Sequence, residues 1–209
     1  MGLSGSVTTS GVHRSLGVHL SKVRSLKLDS LSAAEGRLLL AIGNTVANHI
    51  WESGLELQQG WTKPTPDASR QLKENWIKSK YQWKGFLEDR SSNNTFDPNT
   101  ALYREAGRGH LRGVAEALAY GGSVDYRNET GKTPLHACAI SRRQANNDHD
   151  DADADADGAC WRGLECAELL LQNGAKIDTL DNDTQSVLDY AVIGNGEREM
   201  VEFLSARMS

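Results

Sequence analysis

The sequence predicts a mainly α-helical chain in two parts, helices with one short strand first and a stack of repeated helix pairs second. Three observations carry this. Apolar residues recur at helical spacing through the first part, a 33-residue self-similarity runs through the second, and the two parts differ in charge. Residues 1–96 sum to +4 and residues 97–209 to −9, within a net charge of −5 over 209 residues.

Residues 1–9 are small and polar and read as an unstructured lead-in, and Ser10–Leu20 as a short helical turn or loop. From Lys22 to Asp29 apolar and charged residues alternate, Leu26 and Leu28 against Lys27 and Asp29, which predicts a short half-buried strand. Ser32 and Glu35 have capping-box spacing and open a helix whose apolar stripe is Leu39, Ile42, Val46 and Ile50. Two prolines between Trp61 and Pro66 interrupt the pattern. A second helix from about Ala68 sets Leu72, Trp76, Ile77, Trp83 and Leu87 on one side and Arg70, Lys73, Lys78, Lys80 and Lys84 on the other.

Residues 90–99 are polar, contain a proline and read as a linker between a first domain, 1–89, and a repeat region, 100–209. Ala101-Leu102 recurs as Pro134-Leu135 after 33 residues, and Pro134-Leu135 as Val187-Leu188 after 53. Gly121–Asp125 recurs as Gly174–Asp178, again after 53. The larger step is the period plus a 20-residue insertion, which the acidic run near residues 144–158 locates. A period of 33 and the run Thr133-Pro134-Leu135-His136-Ala137 match the ankyrin signature. Three stacked units are then expected, with the acidic insertion as a disordered loop in the middle one. Gly121 and Gly174 fall where a second helix ends in a left-handed residue. Asp148, His149 and Asp150 lack the spacing and glycine of a calcium loop.

Composition narrows the function classes. An apolar content of 38% and a charged content of 24% describe a soluble globular chain. The longest strongly apolar run, Leu38–Ile42, is far too short to span a bilayer, and the first ten residues lack a secretory pattern. Cys138, Cys160 and Cys166 are few and odd in number, so no disulfide framework is expected and a reducing cytosol suits the chain. Its acidic total charge, without a basic aromatic-lined stripe, argues against nucleic acid. No phosphate-binding glycine loop, nucleophile elbow or metal-ligand cluster is present, which argues against an enzyme with its own active site. Gly2 and Ser6 fit a short myristoylation pattern, whose plain reading is a flexible terminus.

The run Ser10–Asp29, SGVHRSLGVHLSKVRSLKLD, resembles the stretch after the zinc finger in Arf GTPase-activating proteins. Gly43-Asn44, Lys63-Pro64 and the Trp76-Ile77 to Lys80-Tyr81 pattern extend the resemblance. The ankyrin repeats are similar to those of the subfamily that also carries BAR and PH domains. That resemblance implies a mainly α fold: a partial Arf-activator domain of helices with a short strand, then an ankyrin stack. It implies an Arf-family GTPase in its GTP form as partner, in membrane trafficking, from the cytoplasm or peripherally at endosomal or plasma membranes.

It also implies a mechanism. In the family an arginine supplied in trans neutralises charge growing on the transferred phosphate, worth roughly 10³–10⁵ in rate, or about 4–7 kcal/mol of barrier. The resemblance places that finger on Arg14, with His13, Lys22 and Arg24 as further G-protein contacts. Taken alone, Arg14 reads as an ordinary surface arginine, Lys22 and Arg24 as a solvated face, and His13 as structural. The family's zinc is held by two C-x-x-C pairs; here Ser6 and Thr9 stand at the second pair's positions, and the first would lie upstream of Met1. No metal is therefore expected in this chain, neutral hydroxyls being poor zinc ligands beside thiolates. The competing expectation is a non-catalytic ankyrin adaptor or a degenerate activator, with Tyr103, Arg108, His110, Tyr126 and Arg127 as its contacts.

Overall fold

Ser32 and Glu35 do what a capping box demands. The Ser32 hydroxyl accepts the Glu35 N–H at 3.2 Å, and the Glu35 carboxylate accepts the Ser32 N–H at 2.8 Å. In the computed structural model they open the longest helix of a chain described at residues 7–17, 21–25, 28–90, 96–141, 162–193 and 198–208. The chain divides into two units, Met1–Phe96 and Asp97–Ser209.

The first unit begins with α1, Val7–Ser15, so three residues expected as lead-in are helical. Their reward is tertiary: Val12, His13 and Leu16 sit on one face and are buried, which offsets the weak helix preference of Thr and Gly. The strand expected over residues 22–29 does not form among the described residues. Leu28 is 89% exposed, and Asp29 and Ser25 close a turn in which Asp29 N–H donates to the Ser25 carbonyl at 2.9 Å. A strand needs a neighbouring edge for its amides, and no described segment supplies one. The only bridge among the described residues is Leu180 with Ser186.

Helix α2 spans Ala33–Trp51 and kinks at Gly43, where φ is 48° and ψ −176°. The kink resets the stripe. Ala34, Leu38 and Ile42 are buried before it and Ala47 and Ile50 after it, leaving Leu39 and Val46 half-buried. Helix α3, Arg70–Ile77, is capped by Ser69 and passes into one π turn, Lys78–Gln82. Trp76 and Ile77 are buried as expected, whereas Leu72 and Trp83 are exposed. The π turn ends the regular spacing before Trp83, and Lys84 reverses the chain at φ 52°.

The second unit contains three helix pairs: α4 Pro98–Arg108 with α5 Leu111–Ala119, α6 Pro134–Ile140 with α7 Gly163–Gln172, and α8 Val187–Ile193 with α9 Arg198–Met208. Helix α4 packs on α6 and α6 on α8; α5 packs on α7 and α7 on α9. Each pair thus covers the apolar face of the next. Asp97 caps α4, its carboxylate accepting the Thr100 N–H at 2.8 Å, with Pro98 at the first helical position. His136 Nδ1 accepts the Thr133 N–H at 3.1 Å, which explains Thr133 and His136 in the repeat signature. Gly121 and Gly174 both follow second helices with φ near 95°, at 96° and 94°, where a side chain is strained. Cys138 and Cys166 are buried. Cys160 and the acidic insertion lie outside the described residues.

Candidate functional site

Arg14 projects from α1 into solvent and makes no ion pair among the described residues. Its helix is fixed from the other side. Val12 and Leu16 enter a core with Trp76, Ile77, Tyr81 and Phe86, against which Trp51 and Leu55 pack. The His13 ring lies 5.4 Å from the Tyr81 ring, and Tyr81 meets Trp51 edge-on at 5.2 Å. Phe86 holds the other half, 4.5 Å from Trp76 and 5.1 Å from Trp61. Burying such rings yields a large apolar gain plus about 0.5–1.5 kcal/mol per well-oriented pair.

The π turn decides which side chains face inward. Ser79, Lys80 and Tyr81 are consecutive yet all buried, an outcome that helical spacing forbids. Lys80 is only 3% exposed; its ammonium reaches the Glu52 carboxylate at 2.6 Å and the Asn48 amide oxygen at 2.5 Å. Glu52 gives its second oxygen to Lys63 at 2.9 Å. Burial pushes the Lys80 pKa down while Glu52 opposes it. Burial raises that of Glu52, but the two lysines outweigh it and leave it below the usual carboxylate range. The geometry makes them an ion pair at neutral pH. Where the chain returns, the Gly54 N–H donates to the Phe86 carbonyl at 2.8 Å and the Glu88 N–H to the Ser53 hydroxyl at 3.0 Å.

The other expected contacts divide. His13, expected to touch a G protein, is 5% exposed and shares a hydrogen bond with Ser21 at 3.0 Å, so it offers no surface to a partner as it stands. Burial and then the Lys80 charge lower its pKa to about 4, so it is neutral at physiological pH. Arg24 is exposed but pairs with Glu35 at 3.0 Å. Lys22 is exposed. In the second unit Tyr103 and Tyr126 form a half-buried pair of rings 6.3 Å apart. Arg108 and His110 turn toward Glu105, at 3.7 and 2.8 Å, and Arg127 donates to the Leu180 carbonyl at 3.0 Å. Those three hold the repeats together. Tyr81, Phe86 and the Lys80–Glu52 pair are what sequence spacing missed, although Lys80-Tyr81 belongs to the pattern that carried the resemblance.

The residues present do not fit a zinc ion. Thr9 lies inside the helical turn of α1, Ser6 lies outside the described residues, and residues 1–137 contain no cysteine. Among the described residues no group of three or more His, Cys, Asp or Glu side chains is placed to hold a metal. No helix there is long and apolar enough to cross a membrane.

Comparison with known proteins agrees with this architecture. Residues 7–90 match the ArfGap family, GTPase activating protein for Arf, and residues 130–182 match the ankyrin repeat. The chain is 48% identical over 88 residues to chicken (Gallus gallus) Arf-GAP with coiled-coil, ANK repeat and PH domain-containing protein 2, covering 42% of this chain and 11% of that protein. It is 52% identical over 81 residues to human (Homo sapiens) protein 3 of the same name, covering 39% and 10%. Against protein csx2 of Schizosaccharomyces pombe it is 34% identical over 129 residues, covering 62% and 14%. The matched stretch thus spans only 10–14% of the length of these relatives. The polypeptide therefore joins a segment of the Arf GTPase-activating-protein family, residues 7–90, to a segment of ankyrin repeat, residues 130–182.

Proposed function

We propose that residues 7–90 bind an Arf-family GTPase in its GTP form and accelerate its hydrolysis, with Arg14 as the residue that enters the nucleotide site. One observation carries the reading: α1 holds an exposed guanidinium on one side and is buried through Val12, His13 and Leu16 on the other. A finger must be presented, not merely present, because the barrier falls only when the charge already stands where the phosphate oxygens gather theirs. Arginine suits this because its charge is permanent and its planar fork meets two oxygens at once. The activator itself transfers no proton, so a neutral, buried His13 is consistent with a supporting role. Lys22, and Arg24 once released from Glu35, extend the positive surface beside Arg14 toward the partner.

The chain then regulates an enzyme and is not one, and its relatives' names are consistent with work on trafficking membranes from the cytoplasmic side. The test is single-turnover hydrolysis of Arf-bound GTP. The wild-type chain should accelerate it, and Arg14→Lys should abolish most of the roughly 10³-fold or greater gain expected of an arginine finger while leaving the melting profile unchanged. If wild type and Arg14→Lys are equally inert, the activator reading fails and the chain is better taken as an ankyrin adaptor.

A further inference from the structure

The disagreement between the family's zinc and the donors of this chain has a structural counterpart. We infer that α1 is held by a metal-free aromatic anchor centred on Tyr81, so that residues 7–90 keep their fold, and Arg14 its place, without zinc. The meaning given to Arg14 rests on the proposed function; the anchor does not.

Three sets of contacts carry the inference. Val12 and Leu16 are 1% and 7% exposed, and they share one cluster with Trp76, Ile77, Tyr81 and Phe86. The Tyr81 ring stands between His13 of α1 and Trp51 of α2, at 5.4 and 5.2 Å, and so joins two helices that a distant metal would otherwise have to hold in register. The C-terminal end of α1 is closed locally, by Ser15 donating to the Val12 carbonyl at 2.7 Å and by the His13–Ser21 hydrogen bond at 3.0 Å. The seat under α1 is itself braced, since Lys80, adjacent to Tyr81, is tied to Asn48 and Glu52 on α2 and the turn that follows it. Every side of the seat is made of protein atoms.

The experiment uses the full 209-residue chain. Metal content is measured after purification without chelators, and amide hydrogen exchange of residues 10–17 is followed with and without 1,10-phenanthroline. We expect substoichiometric zinc and exchange rates that the chelator changes by less than about twofold. Tyr81→Leu should speed exchange in α1 at least about tenfold and leave residues 97–141 alone, whereas Tyr81→Phe, which keeps the ring, should stay within about twofold of wild type. Should Tyr81→Leu unfold the whole first unit, Leu16→Ala reads the same contact from the α1 side, with the same selective loss expected. One zinc per chain together with chelator-induced loss of α1 protection overturns the inference, as does unchanged α1 exchange in both Tyr81→Leu and Leu16→Ala. An inert chain whose α1 is protected and zinc-free refutes the activator reading and leaves the anchor standing. An active chain that needs zinc does the reverse.

Discussion

Replacing Glu52 by Leu should leave the Lys80 ammonium buried with only the Asn48 amide for company. The pair is close and largely dehydrated, at 2.6 Å with side chains 4% and 12% exposed. Removing one partner of such a pair typically costs about 3–5 kcal/mol, most of it the penalty of a stranded charge. Glu52 retains some access to water and Lys63 shares it, so the lower end, about 3 kcal/mol, is expected. Against a domain stability of about 5–15 kcal/mol this is a large fraction. Urea unfolding followed by tryptophan fluorescence reads it well, because Trp51, Trp61, Trp76 and Trp83 all lie in the first unit. The defect should shrink as pH rises. Burial lowers the Lys80 pKa in the folded state, so between that value and the ordinary 10.5 the unfolded chain binds the extra proton and alkali favours folding. Adding Lys80→Met to Glu52→Leu removes both charges and should restore stability to within about 1–2 kcal/mol of wild type, the residue being Asn48 left without its donor. A double variant no more stable than Glu52→Leu, or a single variant costing under about 1 kcal/mol, refutes the stranded-charge argument.

His13 sets an acid limit of its own. Its folded pKa of about 4 lies below the ordinary 6.5, so between those values only the unfolded chain takes up the proton. Stability should therefore fall by about 3 kcal/mol as pH drops from 6.5 to 4, with no further loss from this residue below that. His13→Gln should flatten the slope between pH 6.5 and 5, above the range where Glu52 begins to protonate; an unchanged slope shows the proton going elsewhere. Gly54→Ala tests the closing turn. A Cβ there would stand 2.8 Å from the Leu87 carbonyl oxygen and 2.9 Å from the Glu88 Cα, both backbone atoms that cannot step aside. A loss of about 1–3 kcal/mol in urea unfolding is expected, and a neutral result means the return of residues 86–88 is looser than drawn.

What the sequence disclosed was local or periodic. The Ser32–Glu35 box, the Thr133–His136 cap and the left-handed glycines at 121 and 174 depend on neighbours within a few residues, so their chemistry is written in order along the chain. The 33-residue period is equally legible, since each helix pair repeats the same burial problem. Helix α1 was hidden for the opposite reason. Its residues are poor helix formers, and only the tertiary seat for Val12, His13 and Leu16 makes the helix worthwhile. The strand expected at residues 22–29 erred in the same way, because alternation marks a candidate face and says nothing of whether a partner edge exists.

The π turn shows why site residues resist reading from spacing. A regular helix from α3 onward separates Lys80 from Trp76 and Ile77 by enough rotation to put a lysine toward water, where the charge pattern also placed it. Widening by one residue turns Ser79, Lys80 and Tyr81 inward together. A lysine can occupy that position only with a carboxylate waiting, and Glu52 lies 28 residues earlier, beyond any local pattern. The ring beside that lysine then seats α1, and α1 sets where Arg14 stands. The resemblance named the arginine; the physical case for it runs through Tyr81, whose ring ties α1 to the helical core. Loosening that ring while leaving every charge untouched should scatter Arg14 and lower kcat of the proposed hydrolysis more than it raises KM, since an arginine that acts only in the transition state contributes little to ground-state binding.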